Sequence, residues 1–188
     1  MYAYIINLLQ AIGEKRRYKA RITRVVEEES GIVDLAVEME RPFAHKSGQF
    51  AFIDFTCDGH GSHPFSMASS DPEQVRFLIK KLGDATEKTD DILEPGQTIE
   101  LEGPYGRFDF ASDKPRQAWI AGGIGIAPFI SRLEELANRG VVHQQVDFWY
   151  SVDSDAEAGL PANLAELCRW AGGTLHAGIS ERGERRSL

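Results

Sequence analysis

The residues best suited to chemistry lie in one short run, His63-Pro64-Phe65-Ser66, with Ser69 following closely. Pro64 fixes its own φ and lacks an N–H donor, so this run is expected to be extended, as at the start of a β-strand. An imidazole, a flat ring and a hydroxyl then follow one another, and these groups suit a phosphate, a planar ring system and a ring heteroatom. The run indicates a cofactor-binding segment, although an ordinary strand with a core phenylalanine fits the same residues.

A second candidate segment is the glycine-rich run Gly122-Gly123-Ile124-Gly125-Ile126-Ala127-Pro128. It follows an apolar run at residues 117–121, typical of a buried parallel strand, and it precedes apolar residues at helical spacing. Strand, glycine turn and helix form the context in which backbone N–H groups bind a diphosphate, and Pro128 suits the first helical turn. Gly122, Gly123, Gly125 and Pro128 are therefore candidate ligands of a nicotinamide dinucleotide, with a purely structural turn as the alternative.

A third candidate is the run Gly83-Asp84-Ala85-Thr86. Asp84 and Glu87 have capping-box spacing, which predicts a short helix continuing to Leu93. Free N–H groups at a helix start can bind an anion without any side-chain charge. Lys80 or Lys81 can offset the charge of Asp84, although only one of two neighbours on a strand can face a ligand. A capped surface helix is the alternative interpretation.

These three segments and a fourth, Gly103-Pro104-Tyr105-Gly106, occur in the order found in one known family. Over roughly residues 18–180 the chain resembles the ferric reductase and NADPH oxidase branch of the ferredoxin-NADP reductase superfamily. The resemblance implies a cofactor, FAD, and a second ligand, NAD(P)H. It also implies that the flavin motif is His63, Pro64, Phe65 and Ser66.

The resemblance assigns a role to each motif residue. Phe65 would lie against the isoalloxazine ring, Ser66 would hydrogen-bond near flavin N5 as the candidate catalytic residue, and His63 would reach the ribityl–phosphate region. Gly83 and Thr86 would hold the FAD diphosphate, with Lys80 beside it, and Gly106 would shape the flavin pocket. By themselves residues 103–106 predict only a hairpin turn.

The elements that must position these residues fall into two groups. Period-2 alternation over residues 18–110 predicts an antiparallel β-barrel of about six strands. The predicted strands include residues 22–26, 32–39, 49–56, 75–79, 99–101 and 107–110. After residue 113, strands alternate with helices, which predicts a Rossmann-like parallel α/β sheet. We place the boundaries at residues 1–17 (connector), 18–112 (FAD-binding barrel) and 113–188 (nicotinamide-nucleotide domain).

Composition excludes several classes of protein. A net charge of −8 over 188 residues argues against nucleic-acid binding, which needs a basic face. The two cysteines, Cys57 and Cys168, are far apart and lack Cys-x-x-Cys spacing, so neither an iron–sulfur cluster nor a zinc site is expected. We expect no metal site and a reducing, cytoplasmic location.

The N-terminal residues 1–12 are apolar but shorter than the about 20 residues that cross a bilayer. Lys15, Arg16 and Arg17 follow, a basic flank typical of the cytoplasmic side of a membrane segment. In the resembled family the flavin module often follows heme-carrying membrane helices, so residues 1–17 are interpreted as a juxtamembrane connector at the cytoplasmic face of the membrane. A short amphipathic helix covering one end of the barrel is the alternative.

The sequence therefore predicts a flavin-dependent oxidoreductase that passes single electrons from NAD(P)H to an acceptor such as the heme or ferric iron of a membrane partner domain. Alternatives are a soluble reductase component of an oxygenase and a flavin-binding module without catalysis. Ser151, Asp153 and Asp155 favour NADH, because carboxylates repel a 2′-phosphate and accept from a ribose hydroxyl. The family's further strand with a Cys-Gly-Pro motif does not occur in this sequence, so we expect the second domain to be incomplete at its C-terminus.

Overall fold

In the first half of the described chain, strands whose successive side chains point to opposite faces pair into an antiparallel sheet. The computed structural model describes residues 16–28, 30–55, 61–81, 93–140, 145–152, 163–181 and 184–187. Within these residues the first sheet has the strand order β4-β3-β6-β1-β2-β5. Its strands are β1 (Arg17–Glu27), β2 (Ile32–Met39), β3 (Phe50–Asp54), β4 (His63–Ser66), β5 (Gln74–Lys80) and β6 (Thr98–Tyr105).

The two edge strands of this sheet meet, so the sheet is a nearly closed barrel. Met67 pairs with Phe77 across the gap between β4 and β5, and the amide of Ala68 donates to the carbonyl of Arg76 at 2.7 Å. The inward side chains, among them Leu35, Ile53 and Phe77, are fully buried. The predicted barrel is confirmed, and the flavin-like motif is one of its edge strands.

Two predictions about the end of the barrel are wrong. Residues 103–105 do not form a turn but belong to strand β6. The described residues 107–110 form no strand, because their aromatic side chains serve the second domain. Phe110 packs against Trp119 and Phe129, with ring centroids 4.9 and 5.5 Å away. Alternating Phe and charged residues therefore indicate a connection between two cores at this position.

The second half of the described chain forms a four-stranded sheet in the order β10-β9-β8-β7. Strands β7 (Arg116–Gly122), β8 (Gln145–Val152) and β9 (Gly173–Glu181) are parallel, as predicted, and β10 (Glu184–Ser187), which was not predicted, runs antiparallel to β9. A 3₁₀ helix (Gly123–Ile126) leads into α1 (Ala127–Arg139), and α2 (Leu164–Trp170) precedes β9.

The helices cover one face of this parallel sheet. Phe148 on β8 and Ile130 on α1 are completely buried between the sheet and the helices. Their core also includes the barrel residues Ile32 and Ala68. On the other face Ile120 is 76% exposed and Trp149 43% exposed. The core of the second half thus extends onto residues of the barrel strands, whereas the interior of the barrel forms a separate core.

Two predicted segments lie outside the described residues. One is the connector at residues 1–17, apart from Arg16 and Arg17, and the other is the helix expected after Asp84, apart from Leu93. In the part of the chain that the structure describes, every helix is too short or too polar to cross a bilayer.

Candidate cofactor site

Strand β4 divides the flavin-like motif between two faces of the barrel wall. His63 and Phe65 are half-buried, whereas Pro64 and Ser66 are exposed. Phe50 lies directly opposite Ser66 on β3, so these two side chains share the outer face. The alternation follows from the two-residue period of a strand. A single ligand can contact both Phe65 and Ser66 only where the strand ends.

Phe65 belongs partly to the barrel core. Its ring centroid lies 5.8 Å from that of Phe55, which is fully buried. Only the remaining part of the ring is available to a ligand. Its contact with an isoalloxazine ring stays a prediction, as does the phosphate role of His63.

Two lysines stand at the end of β5. Lys81 forms an ion pair with Glu27 on β1 at 2.7 Å, and the ligand role predicted for Lys80 stays a prediction. Lys80 is half-buried at the last position of β5 and, as the preceding residue, points to the other side. Gly83 and Thr86, with which it was predicted to act, lie outside the described residues.

Gly106 is explained by packing inside the protein. Its φ is 99°, and a Cβ added there would lie 3.2 Å from the ring of Phe50. Together with Gln49, Pro104 and Phe108 it borders an open groove of about 750 Å³. Gly106 thus lies against Phe50, the cross-strand neighbour of Ser66, and its predicted influence on a flavin pocket stays a prediction.

The glycine loop at the carboxyl end of β7 differs from Gly106, because the space beside its glycines is open. A Cβ at Gly125 would meet no atom within 4 Å, and a Cβ at Gly122 would meet only the carbonyl oxygen of Ser151 at 3.8 Å. Neither residue has a positive φ, whereas Gly123 has a φ of 48°. Space beside exposed backbone N–H groups is what a dinucleotide diphosphate requires, so these residues fit that ligand.

The other predicted ligands of the dinucleotide lie around this loop. Ser151 is exposed and pairs in register with Gly122. Pro128 stands in the first turn of α1, as predicted. Asp153 lies outside the described residues. The structure thus brings Gly122 and Ser151 together at the carboxyl end of the sheet, and Gly125 follows in the same loop.

Helix α1 contacts the barrel through buried hydroxyl groups that the sequence did not single out. Ser131 Oγ lies 2.8 Å from the carbonyl oxygen of Ser69 and 3.0 Å from Ser47 Oγ, and Ser47 donates to Glu135 Oε2 at 3.0 Å. Ser131 is fully buried. We call this contact between α1 and the barrel the seam.

Both candidate segments adjoin the seam. Ser69 lies three residues after the flavin-like motif, and Ser131 lies one turn after the glycine loop. Ala68 and Ile126 belong to the same buried cluster, and the 3₁₀ helix contacts β5. The one sign of this pairing in the sequence is a serine, Ser131, on the otherwise apolar face of α1.

An ion-pair chain crosses the seam beside the serines. Arg76 on β5 lies 3.3 Å from Glu134 on α1 and 3.6 Å from Asp34 on β2. Burial raises the pKa of Glu134 above its ordinary value of 4.5, although the charge of Arg76 opposes this shift. Burial acts in the same direction on Glu135. However, hydrogen bonds from Arg132 and Ser47, with the charges of Arg132 and Arg139, outweigh it and lower its pKa below 4.5.

The two glutamates are therefore expected to give opposite pH dependences of stability. A raised pKa in the folded state means that the Glu134 contribution is fully present below pH 4.5 and is lost as the pH rises through the raised value. The contribution of Glu135 is present above pH 4.5 and is lost as the pH falls through its lowered value. Urea unfolding of the native protein, Glu134→Gln and Glu135→Gln between acid and neutral pH measures both effects. For each variant, the difference in unfolding free energy from the native protein is plotted against pH. The same slope in both variants would contradict this assignment.

Comparison with known proteins supports an FAD-binding barrel. The FAD-binding domain family matches residues 17–109. The ferredoxin–NAD(+) reductase component of the alkene monooxygenase system of Xanthobacter autotrophicus is 29% identical over 171 residues, which are 89% of this chain and 52% of that protein. The reductase component of propane 2-monooxygenase from Rhodococcus jostii is 32% identical over 159 residues, 80% of this chain and 42% of that protein. The chain thus spans about half the length of the curated relatives it matches.

The fold has solved counterparts. The ferredoxin-NADP+ reductase of Plasmodium falciparum superposes with a TM-score of 0.74 at 20% identity, covering 91% of this chain and 74% of that one. The order of elements, a nearly closed barrel followed by a parallel sheet with helices, is the same order that the sequence motifs predicted. The chain thus has the fold of the ferredoxin-NADP+ reductase of Plasmodium falciparum, and its residues 17–109 match the FAD-binding domain family.

Proposed function

We propose that this chain is the FAD- and NAD(P)H-binding part of an electron-transfer reductase, which takes a hydride from NAD(P)H and delivers electrons singly to a separate acceptor. The observation that carries the proposal is the seam. There Ser131, one turn after the glycine loop, contacts Ser69, three residues after the flavin-like motif. FAD, when bound, supplies the conversion between two-electron and one-electron transfer.

The chain's own residues would bind and orient the two ligands. The exposed hydroxyl of Ser66 is available to hydrogen-bond a ring heteroatom at the outer face of β4. The open backbone at Gly122 and Gly125 would hold the diphosphate of the dinucleotide. The buried seam would fix the distance between them, which matters because transfer requires the reacting atoms to be held in contact.

The acceptor we propose is an oxygenase or its ferredoxin. The relatives from Xanthobacter and Rhodococcus are named as reductase components of monooxygenase systems, which favours this acceptor over the heme-carrying membrane partner suggested by the sequence resemblance. A cytoplasmic location, inferred from the cysteine content, is part of the same proposal. We also propose a preference for NADH, since Ser151 stands next to Gly122 and Asp153 follows shortly after.

Reconstitution with FAD tests the proposal. FAD added to the chain should show shifted absorbance bands, and NADH should then bleach them without oxygen. NADH oxidation with ferricyanide as acceptor should follow, with tighter binding of NADH than of NADPH. An unshifted flavin spectrum, or a shifted spectrum that neither NADH nor NADPH bleaches, would contradict the proposed function.

Ser66→Ala tests the candidate catalytic residue. Because Ser66 is exposed, the substitution should leave the thermal unfolding midpoint unchanged. We expect reduction of bound FAD by NADH, measured by stopped flow, to slow about tenfold, the effect of about 1.4 kcal/mol lost in the transition state. Ser62→Ala is the matched control, because Ser62 is also exposed and lies just before the motif. Equal rates in the two variants would remove Ser66 from the proposed mechanism.

A further inference from the structure

A buried tyrosine lies directly beneath the glycine loop. Tyr150 is 3% exposed and faces the helix-covered side of β8. Its hydroxyl lies 3.3 Å from the carbonyl oxygen of Gly123 and donates to it. The in-register neighbours of Tyr150 on β7 and β9 are Ala121 and Ala177. These small side chains flank the ring on both neighbouring strands, and they leave it the space from which the hydroxyl reaches the loop.

The position of this contact determines how the loop presents its backbone. In a trans peptide the C=O and the following N–H point in opposite directions. Since the carbonyl of Gly123 is turned inward to Tyr150, the N–H of Ile124 is turned away from the core. Gly125, where a Cβ would meet no protein atom, follows immediately. The Ile124 N–H is therefore directed outward beside the open space of the loop.

Without the hydrogen bond from Tyr150, the Gly123–Ile124 peptide could adopt a different orientation. Gly123 adopts a φ of 48°, and glycine populates positive and negative φ about equally well. A rotation of the Gly123–Ile124 peptide would exchange an outward N–H for an outward carbonyl oxygen. That oxygen would repel a phosphate.

Resting on the proposed function, we propose that Tyr150 is a positioning residue of the dinucleotide site. Its hydroxyl holds the Gly123–Ile124 peptide so that the Ile124 N–H is presented to the diphosphate of NAD(P)H. A purely structural role would also explain a buried hydroxyl with a carbonyl partner, because an unpaired buried hydroxyl is costly. The two roles differ in what they affect: one affects ligand binding, the other stability.

Tyr150→Phe separates the two roles, because it removes the hydroxyl and keeps the ring. The FAD-reconstituted full chain is titrated with NADH and with ADP-ribose, which carries the diphosphate but cannot be oxidised. We expect Kd for ADP-ribose and KM for NADH to rise about five- to tenfold, as for one lost hydrogen bond. The kcat at saturating NADH and the Kd for FAD should stay within about twofold of the native values.

Tyr18→Phe is the matched control, because Tyr18 lies in the barrel with its ring packed edge-on against Phe43. Unchanged ADP-ribose binding in Tyr150→Phe would overturn the inference, as would a weakening of FAD and ADP-ribose binding by the same factor. If Tyr150→Phe proves less stable than Tyr18→Phe, the NMR signal of the Ile124 amide, recorded at low temperature, distinguishes the positioning role from a purely structural one. It should shift with ADP-ribose in the native chain and not in the variant, and equal shifts would overturn the proposal. A native chain that binds neither ADP-ribose nor NADH would instead refute the proposed function itself, and this inference with it.

Discussion

Gly125→Ala should weaken NAD(P)H binding at least about tenfold, a loss of about 1.4 kcal/mol, without destabilising the protein. A Cβ at this position meets no protein atom within 4 Å, and the backbone does not have a positive φ. Alanine in a helical turn is as stable as glycine or more so, so the thermal unfolding midpoint should stay the same or rise slightly. The added methyl group would instead occupy the space proposed for the diphosphate.

The measurements are the Kd of NADH for the FAD-reconstituted chain and the midpoint of thermal unfolding. Gly31→Ala is the control, since Gly31 also has open space around it but a φ of 71° in the turn between β1 and β2. It should lose about 1 kcal/mol of stability and bind NADH normally. If Gly125→Ala bound NADH as tightly as the native chain, the glycine loop would be a structural turn, which is the alternative that its sequence left open.

The fold could be predicted from the sequence wherever one side of an element is buried. Strand β6 alternates between buried and more exposed side chains, and α1 repeats its apolar residues every three or four positions, so each pattern follows directly from burial. The prediction was wrong at residues 107–110, where the alternating pattern arises for another reason. There, Phe110 contacts Trp119 in the second core, and a pattern along the chain does not reveal which core a side chain enters.

The candidate site could be predicted only where a motif is continuous in sequence. Gly122, Gly125 and Pro128 form such a motif, and the structure gives them the strand, turn and helix context that the motif needs. Seam residues are different, because Ser131 and Ser69 are 62 positions apart. A serine within an apolar helix face suggests a buried hydrogen bond, but its partner depends on how barrel and sheet pack together.

Residues that position other residues could not be recognised from the sequence either. Tyr150 looks like one aromatic residue of an apolar strand, and only the loop above it shows what its hydroxyl contacts. Gly106 was expected to shape the flavin pocket, and the structure shows that a Cβ added there would also meet the ring of Phe50. A glycine is required both where a ligand approaches and where another residue packs, so the sequence alone does not distinguish these cases.

Gly48→Ala should cause the largest loss of stability among the substitutions considered, at least about 3 kcal/mol. Gly48 has a φ of 100°, and an added Cβ would lie 2.3 Å from the carbonyl oxygen of Phe108. That oxygen belongs to the backbone of the connection between the two cores, so no change of side-chain rotamer relieves the overlap. The connection must move, and Gly106 with it, which should also weaken FAD binding.

Gly96→Ala is a closely matched control for this prediction, because Gly96 has a φ of 96° and nothing within 4 Å of an added Cβ. It carries the backbone strain alone, which costs about 1–2 kcal/mol. Urea unfolding of both variants therefore measures the contact with Phe108 as the difference between them. FAD titration then shows whether that contact reaches the flavin-like motif, since Gly106 packs on Phe50 and Phe50 lies opposite Ser66. Equal losses of unfolding free energy in the two variants would mean that the connection between the cores moves without loss of stability. It would then not hold the two halves of the site in place.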